Sequence, residues 1–253
     1  MPPGSPPPAP ASMLRTEDLG VCPYEEALRI QRAAHAEVAA GGPERLLLVE
    51  HPAVITLSRR RGVRRNLLVS EDCLATRRID LQETDRGGDV TAHGPGQQVV
   101  YPILRLADHR LNLSRYMRLL EEAAIATAAA FGVAAHREAG ATGVWVARPG
   151  SRGGEVQPTA KLCALGVRIA KNTTLHGLAF NVRTDLGIFA LIDPCGLGGR
   201  PVTSLLDLLG DACPGMDEVR EALVGALVDA LAAADRGGSG PLPPAVRGDR
   251  LPA

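Results

Sequence analysis

The sequence predicts one α/β domain of mixed α+β character, a mixed sheet with helices packed against it. Three observations predict this. Apolar runs of strand length are interspersed with segments of helical composition, without the regular βαβ repeat of an all-parallel sheet. The chain has 253 residues, enough to bury a sizeable core without disulfides or a structural metal. No linker-like stretch divides it between a Pro/Ala-rich start (1–12) and a Gly/Pro-rich end (237–253). Both ends have the composition of flexible tails, so residues 13–236 are expected to form the domain.

The elements follow in order. Residues 25–40 have helical composition and stop at Gly41-Gly42. Residues 45–49 (RLLLV) form a short apolar run, hence a buried strand, and 54–57 form another. Residues 59–65 (RRRGVRR) make a basic turn. Residues 89–106 read as two strands broken at His93-Gly94-Pro95-Gly96. Residues 112–131 give the clearest helix, with Asn112 to cap it and Gly132 to end it. Strands at 143–147 and 161–169 flank a Gly/Pro-rich loop, which suits a hairpin with a long tip. Residues 175–182 form a further strand, followed by a short helix or turn to 192. Helices at 202–209 and 217–233 complete the domain.

Composition excludes some functions. Formal net charge is zero, so no basic field holds nucleic acid non-specifically. No apolar run approaches the roughly 18 residues of a membrane span, and the start of the chain lacks the charged and then apolar pattern expected of a secretory signal. Five cysteines, an odd number without a CxxC pair, fit reduced thiols in a cytoplasmic protein. Aromatics are only 3%, which leaves Leu, Val, Ile and Ala to build the core. Of 28 basic residues only Lys161 and Lys171 are lysines. Arginine supplies surface charge equally well but does not readily lose its proton, so a surviving lysine is a candidate for chemistry.

Two segments stand out. RGGDVTAHGPGQQVVYP, residues 86–102, surrounds His93 with Gly87, Gly88, Gly94, Pro95 and Gly96. Paired glycines let a substrate approach the main chain and use its N–H groups, although tight turns between strands need the same residues. IDPCGLGG, residues 192–199, sets Cys195 on a turn. A free thiol, with a pKa of about 8.5, is mostly protonated near neutrality and needs a partner that favours the thiolate and then handles its proton. Lysine can do both. No GxxxxGK[ST] or GxGxxG fingerprint occurs.

These segments, with TGVWV, KLCALGVRI, TLHGLAFNV, and PCG followed by VTSL, resemble the successive signatures of the octanoyltransferase family of lipoate biosynthesis. The similarity runs from about 24 to 233 and takes in EHPAVITLSRR. It implies a fold similar to the catalytic domain of biotin and lipoate protein ligases. It also implies a transferase that moves octanoate from acyl carrier protein to a lysine of lipoyl domains, in 2-oxoacid dehydrogenases and the glycine cleavage H protein. Cys195 matches the family's acyl-accepting nucleophile, and Lys161 the lysine that favours its thiolate and shuttles the proton. Arg86, Gly87, Gly88, Asp89, Val90, Thr91, Ala92 and His93 match the substrate-binding loop. Ala164, Leu165 and Gly166 match a second binding stretch, and Gly177, Leu178 and Ala179 a third. No cofactor or metal is implied, and a monomer is expected.

The sequence departs from the family pattern in places. Ala92 stands where an aromatic is usual, which would enlarge the acyl pocket or loosen its wall and so bear on chain-length preference, and Ser58 replaces a glycine. Residues 148–159 make a longer loop. Two alternatives stay open at the level of the residues: an ATP-dependent lipoate or biotin ligase of the same fold, and a metal-binding protein using His51, His93, His176 and Cys195. The arginines at 59, 60, 61, 64 and 65 are a candidate docking patch for acidic carrier domains.

Overall fold

The computed structural model describes residues 14–147, 159–193 and 200–236. Among the described residues the strands are β1 (Arg15–Val21), β2 (Arg45–Glu50), β3 (Val54–Leu57), β4 (Asp80–Glu83), β5 (Val90–His93), β6 (Gln97–Ile103), β7 (Ala135–Glu138), β8 (Ala141–Ala147), β9 (Thr159–Ala170) and β10 (Thr173–Asn181). The α-helices are α1 (Tyr24–Ala39), α2 (Glu71–Thr76), α3 (Leu113–Ala130), α4 (Leu205–Leu209) and α5 (Met216–Arg236).

Seven strands form one sheet in the order β1-β2-β6-β10-β9-β8-β7, antiparallel except for the parallel pair β1–β2. A small sheet, β4-β3-β5, stands beside it. The expected mixed sheet is therefore present. Every residue of β6 and β10 is buried, because both faces of the large sheet are covered. One face packs on α3 and α5 around Leu120, Phe180, Leu223 and Leu227; α1 covers the other through Ala27, Ala34 and Val38.

Local sequence explains these elements. The Asn112 side chain accepts from the N–H of Arg115 at 2.9 Å and caps α3, which ends before Gly132 at φ +76°. In α5, Val219, Leu223, Leu227 and Leu231 repeat every four residues and are its buried stripe. His93-Gly94-Pro95-Gly96 does more than break two strands: β5 lies in the small sheet and β6 in the large one. Gly96 has φ +80°, and a Cβ there would lie 2.5 Å from the Arg183 carbonyl carbon. The crossing is thus pressed against the end of β10.

Four elements lie outside the sequence expectation: β1, α2, β4 and β7. β1 and β4 are polar edge strands and β7 is a half-buried edge, so their sequences carry no strong alternation. Only Leu205–Leu209 of the expected 202–209 helix is helical; Val202 instead pairs with Lys161. Among the described residues no helix is long and apolar enough to cross a membrane.

Candidate active site

A cavity of about 900 Å³, open mouth included, lies on the α1 side of the large sheet. Residues of four adjacent strands, β8, β9, β10 and β6, border it. Three strand spacings make the floor about 14 Å wide. Val99, Phe189 and Val202 give it apolar walls; Leu165 and Leu178 border it from strands whose leucine side chains join the opposite core.

Lys161 reaches this cavity because β9 is irregular. Val144 pairs with Cys163 but Trp145 pairs with Lys161, so Leu162 is an extra residue in β9 and the strand bulges. The bulge lets Lys161 share the cavity with Ala164 and Gly166, while Leu162 and Cys163 join the opposite core. Gly143, at φ +125°, makes room: a Cβ there would lie 3.2 Å from Lys161 Cε and 2.8 Å from the Cys163 carbonyl oxygen. Lys161 Nζ lies 4.7 Å from the centroid of the Trp145 ring, and the Arg200 guanidinium carbon 4.1 Å from it. Both cations are held by the negative face of the indole. Arg200 is also held by Glu138 and by Thr159 Oγ1 at 2.7 Å.

Cys195 lies outside the described residues, but both flanks of its segment are described. On one side the Asp193 N–H donates to the Asn66 carbonyl at 2.7 Å, and Ile192 pairs with Leu67. On the other, the Lys161 N–H donates to the Pro201 carbonyl and the Thr203 N–H to the Lys161 carbonyl, each at 2.9 Å. The chain just after residues 194–199 is thus laced to Lys161.

The three binding stretches expected from sequence meet at this cavity. Arg86, Gly88, Val90, Thr91 and His93 border it, as do all of 164–166 and 177–179. Gly87 sits instead in an adjoining cleft and donates its N–H to the Val167 carbonyl at 2.9 Å. A Cβ on Gly87 would lie 3.0 Å from that oxygen, and one on Gly166 3.0 Å from the Gly87 oxygen, so the loop lies flat on β9. Gly177 is tighter still, with a virtual Cβ 2.1 Å from the Val100 oxygen. Asp89 pairs with Arg60 at 2.8 Å, away from the cavity. Ala92 requires a correction. In β5, Thr91 and His93 face the cavity, whereas Ala92 is fully buried in the small-sheet core with Ile55, Leu57 and Leu74. Its small side chain therefore does not widen the acyl pocket.

The polar end of the cavity is a directed network. Asn181 Nδ2 donates to the Thr203 carbonyl at 3.0 Å, which leaves its Oδ1 to accept from Gln97 Nε2 at 2.8 Å. Gln97 Oε1 must then accept, and His93 Nδ1 donates to it at 2.7 Å. A backbone carbonyl thus fixes the His93 tautomer, leaving Nε2 as an acceptor. Burial, helped by neighbouring His51, pushes the His93 pKa down to about 3, so the ring is neutral. His51 donates from Nδ1 to the Cys22 carbonyl and accepts the Tyr101 hydroxyl on Nε2, both at 2.7 Å. Burial holds its pKa down at about 4. His176 has φ +59°, rare for a residue with a Cβ, and donates from Nε2 to Asp85 at 2.9 Å. Burial alone would raise the Asp85 carboxyl, but His176, Arg168 and Arg32 hold it below the usual carboxylate range.

Sequence reasoning did not assign Tyr24, Tyr101, Trp145, Asn181 or Arg200 to the site, yet all border the cavity. Trp145 had a signal, since it is the only tryptophan in the chain and lies in TGVWV.

The family model described as the lipoyl protein ligase A/B catalytic domain matches residues 23–228. An octanoyltransferase of Geobacter metallireducens is 45% identical over 209 residues, covering 82% of this chain and 89% of that protein. This chain belongs to the octanoyltransferase family. A second member, from Mycolicibacterium gilvum, is 44% identical over 218 residues, covering 86% of this chain and 85% of its own. Solved structures share the fold at lower identity. A bi-partite lipoate protein ligase from Thermoplasma acidophilum superposes with a TM-score of 0.63 at 17% identity, over 87% of this chain and 84% of that one. A lipoate-protein ligase A bound with ATP gives 0.62 at 18% identity, over 87% and 85%. A biotin protein ligase from Aquifex aeolicus in complex with biotin and ATP gives 0.52 at 12%, over 88% and 72%.

Proposed function

We propose that this octanoyltransferase-family enzyme takes an octanoyl group from acyl carrier protein as a thioester on Cys195 and passes it to a lysine of a lipoyl domain. The observation that carries this is Lys161. It stands on the wall of an apolar cavity, bonded through its main chain to Pro201 and Thr203, just beyond the segment that holds Cys195.

The steps follow from that arrangement. The Cys195 thiolate attacks the donor's thioester carbonyl, a tetrahedral intermediate collapses, and the carrier's sulfur leaves with a proton from the Lys161 ammonium. The octanoyl chain lies between Val99, Phe189 and Val202. An acceptor lysine then attacks the new thioester. Neutral Lys161 takes the proton that the amine must lose, and the Cys195 thiolate departs, restoring the starting state. Arginine in place of Lys161 would stabilise the thiolate but would not exchange the proton. His93, neutral and with its acceptor nitrogen fixed, positions the binding loop rather than acting as the base.

The test is transfer to a lipoyl domain from octanoyl-loaded carrier without ATP, beside the same assay with free octanoate and ATP. Modification from the carrier alone supports the transferase. Modification only from the free acid with ATP would assign the activity of a ligase.

A further inference from the structure

Beside the apolar cavity lies a second, open cleft of different character. Ser58, Arg59, Arg60, Arg86, Arg168 and Asp85 border it together with Gly87 and Gly88. Four arginines against one aspartate leave its lining with a formal charge of +3. The aspartate is already occupied by Arg168 and His176. Asp89 neutralises Arg60 from one side at 2.8 Å. Arg59 is exposed and makes no ion pair among the described residues, in contrast to Arg64, which is taken by both Glu71 and Glu83. The basic loop therefore turns part of its charge inward to this cleft.

Arg86 and Gly88 border both spaces, so the Gly87-Gly88 turn is the ridge between them. Gly88, at φ +89°, lacks a side chain that would raise that ridge. A ligand can thus run from one space to the other. Lys161 lies at one end of this path, and Val167, to which Gly87 is bonded, at the other. Six steps along β9 separate them, one taken up by the Leu162 bulge, or roughly 17 Å. The molecule that fits both spaces has an acyl thioester at one end and, an extended arm away, an anion. An arginine fork matches a phosphate ester in both charge and geometry.

We propose that the cleft of Arg59, Arg60 and Arg168 binds a phosphate ester at the far end of the acyl donor's arm, so that the donor is recognised at two points, the thioester and the phosphate. This rests on the transferase reading above and adds a determinant of donor specificity outside the acyl cavity. Arginine contacts here are partly solvated, so the gain is greatest at low ionic strength.

The test uses two small donors, octanoyl-pantetheine with and without its terminal phosphate, and the full-length enzyme at low salt. The wild-type enzyme should favour the phosphorylated donor in kcat/KM by about 10-fold or more, the range expected of charge-assisted hydrogen bonds. In Arg59→Ala and Arg168→Ala that ratio should fall towards one, with the loss confined to the phosphorylated donor. Thermal melts report whether each variant is folded, and the ratio of two donors on one preparation is independent of the folded fraction. A wild-type ratio near one, or a ratio unchanged in both variants, would overturn the phosphate site while leaving the transferase standing. Transfer from neither donor nor from loaded carrier would remove the transferase reading and this site with it.

Discussion

His109 carries a carboxylate on each ring nitrogen, Glu44 on Nε2 at 2.8 Å and Asp235 on Nδ1 at 2.9 Å. The bond to Glu44, more than that to Asp235, raises its pKa from the ordinary 6.5 to about 9. A folded value above the unfolded one means the added stability is whole below about pH 6.5 and is lost as pH rises through about 9. Thermal melts of His109→Gln should therefore fall furthest below wild type near pH 6 and converge with it above pH 9; a gap independent of pH would contradict the charged pair. His93 and His51 act in the opposite direction. Burial holds them at about 3 and about 4, below the ordinary 6.5, so the unfolded chain takes up protons first and stability falls as pH drops below about 6.5. Neither effect was legible in the sequence, because a histidine's neighbours are set by distant elements: Glu44 precedes β2 and Asp235 ends α5. Lys161, one of two lysines among 28 basic residues, was singled out in the sequence as a candidate, and it borders the cavity. Lys161→Arg should melt close to wild type and transfer no acyl group, and near-normal turnover in that variant would refute the proton shuttle.

Among the elements, β9 and β10 decide the site. The bulge at Leu162 turns Lys161 to the cavity, and Gly177 lets β10 touch β6. Gly177→Ala sets a methyl group against the Val100 carbonyl and should destabilise the fold by about 1–3 kcal/mol, the cost typical of overpacking, read from urea unfolding. An unchanged midpoint would mean that β6 and β10 move apart freely. Asn112→Ala should cost about 1 kcal/mol through the lost helix cap, with transfer unaffected. Strands with a buried apolar run and helices with a cap were readable because their own residues carry the signal. The bulge was not, since TGVWV and KLCAL read as plain strands until their pairing is known. Edge strands such as β4, with the sequence DLQE, were missed because one half of their surroundings is water.

At the scale of the whole molecule, the fold brings a polar loop, a strand bulge and a helix start to one cavity across two sheets. The motif order in the sequence was sufficient to name the segments that meet there, because each keeps a short local pattern. It was not sufficient to tell cavity wall from core within a segment, as Ala92 illustrates: that choice depends on which sheet each face of β5 meets. In the proposed reaction Cys195 carries the acyl group between two carriers. Intact-protein mass spectrometry after mixing the enzyme with octanoyl-loaded carrier tests it most directly. The expected result is a mass gain of one octanoyl group that hydroxylamine removes and that Cys195→Ala lacks. Full transfer to a lipoyl domain by Cys195→Ala, or an adduct of the same mass persisting in that variant, would contradict it.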